Sequence, residues 1–92
     1  MADLDGSWKV ERVGGLLPPL PGVTKHISGR RGETRIGRLP GVPFVVDGLC
    51  LRYRAPFVWF VDELEPAAAG FFGRATFRGR EFGTFRLLPL AS

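Results

Sequence analysis

The fold class is decided by FVVDGLCLRY, residues 44–53. Two short apolar runs flank Asp47-Gly48, a pair that favours a two-residue type I′ turn because both turn residues need a positive φ. Such a turn pairs Val46 with Leu49 and predicts a β-hairpin whose alternate side chains share one apolar face. That predicted face consists of Phe44, Val46, Leu49, Leu51 and Tyr53.

Short strands and turns are predicted along the rest of the chain as well. Glycine (13) and proline (8) punctuate it, which is typical of an all-β protein. The further predicted strands cover residues 7–13, 23–28, 33–39, 57–62, 71–77 and 80–88, with a bulge or close approach at Gly83, and residues 14–22 and 65–70 are predicted loops. Seven or eight short strands joined in sequence close most economically as an antiparallel up-and-down meander barrel. The alternative is a half-barrel completed by a twin subunit, and either is a single domain over residues 1–92.

Composition excludes several classes of protein. Cys50 is the single cysteine, so an internal disulfide and a cysteine-based metal cluster are excluded. No apolar run approaches the roughly 18 residues of a membrane span, and no leader-like segment is visible. We therefore expect a cytoplasmic protein with no membrane partner.

The charge pattern argues against a nucleic-acid partner. The net charge is +4, but the acidic residues are spread along the chain and no dense basic block appears. Arginines alternate with aromatics in residues 77–82, as in β-domains that stack on bases, although alternation of a core face with a solvent face explains the same pattern. A nucleic-acid-binding β-domain is kept as a second alternative.

A triplet in the first strand resembles a known superfamily. Gly6-Ser7-Trp8 is a G-x-W triplet that resembles the calycin pattern of lipocalins and fatty-acid-binding proteins, and residues 60–64 and 73–83 resemble small bacterial lipocalin-like proteins. The resemblance implies that Trp8 packs across the closed end of the barrel and that Arg86 lies over it, a cation–π contact of about 1–2 kcal/mol. The chain departs from ordinary lipocalins in being much shorter and in lacking their disulfide and C-terminal helix.

The aromatic residues are the best functional signal. They either fill the barrel or wall a pocket for a small hydrophobic, optionally anionic, ligand, with Tyr53 and Arg86 as polar anchors. The leading hypothesis is non-catalytic binding of such a ligand. The alternative is a homodimer with a filled core that associates through Val58 and Phe60 or through Leu16-Leu17. The predicted interior residues are Trp8, Phe44, Leu51, Tyr53, Trp59, Phe71, Phe77 and Phe85.

The sequence does not indicate an enzyme. His26 is the only histidine, and no partner is placed to form a relay with it. Cys50 shares its strand face with Arg52, but a passive packed cysteine is the commoner case. Asp62 and Glu63 are strand neighbours that point to opposite faces, so they cannot act as a catalytic pair. We expect no catalytic residue, no metal and no cofactor.

Overall fold

In the computed structural model, eight antiparallel strands pair in chain order, and the last strand pairs with the first. The structure describes residues 4–17, 19 and 21–90. The predicted all-β meander barrel is confirmed, and because β1 and β8 pair within one chain, the half-barrel alternative is wrong. The described residues contain no helix, and so none of a length and apolarity that could span a membrane. The strands are β1 (Gly6–Gly15), β2 (Val23–Ser28), β3 (Arg31–Ile36), β4 (Val42–Asp47), β5 (Cys50–Tyr53), β6 (Phe60–Ala67), β7 (Gly70–Phe77) and β8 (Arg80–Pro89).

The turn of the β4–β5 hairpin lies one residue later than the sequence predicted. Gly48 and Leu49 form it, and Val46 pairs with Leu51 rather than with Leu49. Gly48 has a φ of +61°, and glycine in the first turn position is typical of a type II′ turn. Because the pairing moves by two residues, each strand side chain keeps its predicted face. Leu49 leaves the strand but still packs against the core.

Residues 57–59, predicted as the start of a strand, lie instead in a loop. The Phe57 amide donates to the carbonyl of Arg54 (2.8 Å), and the Phe60 amide donates to the carbonyl of Phe57 (3.0 Å). These are consecutive turns, and they contain Pro56, which cannot donate a ladder hydrogen bond. The strand therefore begins at Phe60.

Two predicted loops are shorter than expected. Gly29 and Arg30 alone connect β2 to β3, where a four-residue turn was predicted. The stretch 65–70, predicted as a loop, continues β6 and turns at Ala68 and Ala69. The second correction lengthens β6 and β7, whereas the first shifts β3 from the predicted residues 33–39 to residues 31–36.

The last hairpin is as predicted. Arg78 and Gly79 turn it with φ values of +53° and +82°, which matches a type I′ turn. The predicted irregularity at Gly83 is also confirmed, because the β7–β8 register shifts there and leaves Phe82 without a partner. A Cβ placed on Gly15 would lie 2.6 Å from the Cα of Gly83, so the strands meet here more closely than side chains would allow.

The two ends of the barrel differ. The closed end carries the N-terminal segment and the turns after β2, β4 and β6, and the open end carries the loops after β1, β3 and β5 and the turn after β7. At the closed end Trp8 packs edge-on against Phe71, with ring centroids 5.4 Å apart. The Trp8 indole N–H donates to the carbonyl of Leu4 (2.9 Å). The closed end is therefore filled by side chains.

Candidate functional site

Four polar side chains from four strands meet inside the barrel and form what we call the floor cluster. The Lys25 ammonium donates to the Thr34 hydroxyl (2.7 Å) and to the Tyr53 hydroxyl (2.6 Å), and it forms an ion pair with the Asp62 carboxylate (2.9 Å). The Tyr53 hydroxyl in turn donates to the same Asp62 oxygen (3.1 Å). The floor cluster consists of Lys25 on β2, Thr34 on β3, Tyr53 on β5 and Asp62 on β6.

The ammonium of Lys25 has no donor to spare. An ammonium has three N–H groups, and these three contacts use all of them. The Lys25 residue is only 3% exposed, and its Nζ lies 5.3–5.6 Å from the ring centroids of Phe44, Tyr53 and Phe85. Aromatic faces and one carboxylate thus stabilise the buried cation.

The pKa values of Lys25 and Tyr53 in the floor cluster are both raised. Burial by itself lowers the pKa of Lys25, but Tyr53 and Asp62 outweigh it through charge and hydrogen bonding, so the pKa of Lys25 is raised above its ordinary value of 10.5. Burial is the main cause that raises the pKa of Tyr53 above 10.0; the Lys25 charge opposes this rise and the Asp62 charge adds to it. At neutral pH the cluster is an ammonium paired with a carboxylate beside a neutral phenol.

Only one of the two carboxylate oxygens of Asp62 takes part in the floor cluster. The cluster bonds all go to Oδ2 of Asp62, and within the described part of the chain Oδ1 accepts none. Every fully buried side-chain nitrogen and oxygen among the described residues has a partner. The Asp62 side chain is 9% exposed and lines the pocket described next.

A pocket of about 320 Å³ leads from the open end to the floor cluster. Its walls are almost entirely apolar, and small side chains such as Ala75, Val10 and Val23 leave the space that larger ones would fill. Towards the open end the walls are formed by Leu17, Ile36, Val42, Phe57, Phe60 and Phe82. The barrel is thus filled at one end and hollow at the other.

Alkaline pH is expected to destabilise the barrel through Lys25 and Tyr53. Both pKa values are raised in the folded chain, so their contribution is fully present below the ordinary values of 10.5 and 10.0 and is lost as pH rises through the folded-state values. Urea unfolding at a series of pH values should show a flat contribution up to about pH 10 and a decline above it.

A direct readout exists because Tyr53 is the only tyrosine. Tyrosinate absorbance should appear at higher pH in the folded protein than in the urea-unfolded chain. Tyr53→Phe should remove the tyrosine share of the alkaline decline and also reduce the share of Lys25, whose pKa Tyr53 helps to raise. Coincident titration curves for folded and unfolded protein would contradict the buried placement of this phenol.

The predicted interior residues fall into three groups. Tyr53 and Phe85 line the pocket, as the sequence predicted. Four others are buried in the core but do not line it: Trp8, Phe44, Leu51 and Phe71.

The other two, Trp59 and Phe77, were placed in the interior wrongly, and so was the predicted polar anchor Arg86. Trp59 is 54% exposed and Phe77 is 39% exposed, because the first lies in a loop and the second is the last residue of β7, at the open end. Arg86 is exposed on the outer face between Glu11 and Phe72, so it does not lie over Trp8 as the calycin resemblance implied. Phe71 packs against that indole instead.

Sequence reasoning missed the floor cluster apart from Tyr53. A signal was present for Lys25, which alternates with Val23 and Ile27 and therefore shares their inward face. Asp62 similarly alternates with Leu64 on the buried face of β6. Lys25 was not assigned to the interior, because the hairpin of residues 23–28 and 33–39 is polar overall.

The other candidates for chemistry, His26 and Cys50, lie apart from the floor cluster. His26 lies on the outer face, where its Nδ1 contacts the Ser7 hydroxyl (2.9 Å) and its Nε2 contacts the Thr24 hydroxyl (3.0 Å). It borders an outer groove of about 630 Å³, but neither ring nitrogen meets a carboxylate that could form a relay. Cys50 is half-buried and free. No group of three or more metal-ligating side chains occurs among the described residues.

Comparisons with known proteins add no family to this picture. No family model matches the chain, and neither a curated protein nor a solved structure is similar to it. Its function has to be argued from the pocket and the floor cluster.

Proposed function

We propose that the barrel binds a small, mainly apolar molecule that enters from the open end and donates one hydrogen bond to Asp62. The observation that supports this is an apolar pocket of about 320 Å³ above a polar floor. Eight-stranded barrels are either filled by side chains or hold one small ligand. The pocket of this barrel is large enough for one small ligand.

The volume favours a ligand over a few trapped waters. One water takes up about 30 Å³ in the liquid, so the pocket has room for roughly ten. Waters in a cavity need two to four polar partners each, and the apolar walls offer few. An apolar molecule that displaces them would gain stabilisation in proportion to the surface it buries.

The floor selects the polar end of the ligand. An anionic head group would need a donor, but the three N–H groups of Lys25 are all occupied. It would also meet the Asp62 carboxylate, a like charge at close range. A hydroxyl group, by contrast, can donate to the free Oδ1 of Asp62. The structure thus favours a neutral donor over the anionic option left open by the sequence.

Calorimetric titration with three probes of one chain length tests this proposal. Octan-1-ol carries a donor, octyl methyl ether carries none, and octanoate is anionic. A hydrogen bond to a charged acceptor contributes about 1.5–3 kcal/mol, so octan-1-ol should bind roughly tenfold or more tightly than the ether, with octanoate weakest. Equal binding of alcohol and ether would remove the donor role, and no binding of any probe would overturn the proposed function.

Two matched variants locate the binding site. Ala75→Leu adds bulk inside the pocket and should abolish octan-1-ol binding, whereas Ala67→Leu adds the same bulk at an exposed position and should leave it unchanged. Urea unfolding of both variants confirms that they are folded. Retained binding in Ala75→Leu would place the ligand elsewhere.

A further inference from the structure

Exposed apolar side chains are concentrated at the open end. Leu16 is 86% exposed and Leu39 is 65% exposed, on loops after β1 and β3. Of nine large apolar residues exposed among those described, only Leu90 lies away from this end. Isolated exposed apolar residues are ordinary, but a group of them at one end of a fold is typical of an interaction surface. We call this set the rim: Val13, Leu16, Ile36, Leu39, Phe57, Val58, Trp59 and Phe77.

The two ends of the barrel also differ in the charged residues of their connections. Among the open-end connections, the described residues 16–17, 19, 21–22, 37–41, 54–59 and 78–79 contain three arginines and no acidic residue. The described closed-end segments, residues 4–5, 29–30, 48–49, 68–69 and 90, contain one aspartate and one arginine. The three arginines at the open end, all exposed, are Arg38, Arg54 and Arg78.

Cations and aromatics are in direct contact at the rim. The guanidinium of Arg78 lies 4.2 Å from the ring centroid of Trp59 and 5.6 Å from that of Phe77. The two rings meet edge-on with centroids 6.2 Å apart. Tryptophan with neighbouring cations is the combination that prefers the headgroup level of a bilayer.

We propose that the rim docks on the surface of an anionic lipid bilayer. Apolar side chains would enter the boundary between headgroups and acyl chains, and the three arginines would meet lipid phosphates. A second copy of the chain fits less well, because two rims face to face would oppose arginines with arginines. The sequence-based expectation was that the protein has no membrane partner, and this proposal replaces it. In the docked orientation the pocket opens towards the lipid.

Co-sedimentation with vesicles tests the charge part of the proposal. We expect binding to vesicles of phosphatidylglycerol and phosphatidylcholine in equal parts, little binding to pure phosphatidylcholine, and weakening by salt. Arg38→Gln should weaken binding roughly fivefold. Arg30→Gln makes the same change in the closed-end turn and should have no effect. An equal loss of vesicle binding in the two variants would show that the net charge alone attracts the protein to the vesicles, and it would overturn docking by the rim.

A second pair of variants tests the apolar part. Leu16→Ser should weaken vesicle binding at least tenfold. Leu90→Ser should not, because Leu90 is the exposed large apolar residue that lies away from the rim in the described part of the chain. Both side chains are exposed, so both variants should fold. Emission of Trp59 should shift to shorter wavelength when vesicles are added.

Two further outcomes would overturn the proposal. One is an absence of binding to anionic vesicles at low salt. The other is a protein that does not bind vesicles and sediments as a dimer, with Leu16→Ser dissociating that dimer. This result would show that the rim binds a second copy of the chain. Binding of octan-1-ol in the absence of vesicles is independent of both outcomes, so failure here leaves the proposed ligand site standing.

Discussion

Asp62→Ala is expected to lower the free energy of unfolding by about 3–5 kcal/mol. The substitution removes the counter-ion of a lysine that is 3% exposed and leaves an ammonium in an apolar interior. The hydrogen bond from Tyr53 is lost as well. Domains of this kind have a total stability of about 5–15 kcal/mol, so the loss is a large fraction of the whole. Urea unfolding at neutral pH measures it.

The surface ion pair of Asp47 is the matched control. Its carboxylate lies 3.1 Å from Arg52, but both side chains are more than half exposed. Exposed pairs of this kind contribute at most about 1 kcal/mol, so Asp47→Ala should cost far less than Asp62→Ala. The difference between the two variants isolates the effect of burial.

Removing both charges of the buried pair should be milder than removing one. In the double variant Lys25→Met/Asp62→Leu no buried charge is left unpaired, and replacements of buried pairs by apolar residues are often neutral or stabilising. We expect it to be more stable than Asp62→Ala. If Asp62→Ala were as stable as Asp47→Ala, the ion pair would not be buried as described.

Trp8→Ala is the second substitution with a large expected effect, a loss of about 3–5 kcal/mol. The indole is 8% exposed, packs edge-on against Phe71 and closes one end of the barrel. Its N–H donor to Leu4 also disappears. Trp8→Phe should cost less, because a ring remains and only the hydrogen bond and part of the volume are lost. The free energies come from urea unfolding.

The chain provides its own control in its other tryptophan. Trp59 is 54% exposed, so Trp59→Ala should cost no more than about 1 kcal/mol, the scale of its contact with Arg78. Equal losses from the two substitutions would show that the closed end does not depend on Trp8.

The fold class could be predicted because its signals are local. Alternation over residues 44–53 sets an apolar face, and an error of one residue in the turn leaves that face unchanged, since the pairing moves by two. Strand ends were less certain. Residues 57–59 are as apolar as a strand, and only the turn hydrogen bonds around Pro56 place them in a loop.

The site could be predicted only in part. Tyr53 and Phe85 were placed correctly because hydrophobic alternation identifies inward positions. Trp59 and Phe77 were predicted in the interior because they are apolar, but both lie at the open end of the barrel, where their side chains are exposed. Lys25 was left outside because an isolated buried ammonium is too costly to predict without its partner.

The sequence by itself determined the all-β class, the hairpin order and most inward faces, because alternation and turn chemistry act over a few residues. Tertiary structure alone decided three things: closure of β8 onto β1, the meeting of Lys25 with Asp62, and the gathering of apolar loops at one end. Lys25 and Asp62 lie 37 positions apart in the chain, and only closure brings them within 2.9 Å. Their charges become compatible with burial at that distance, which is why neither residue could be assigned to the core by its own neighbours.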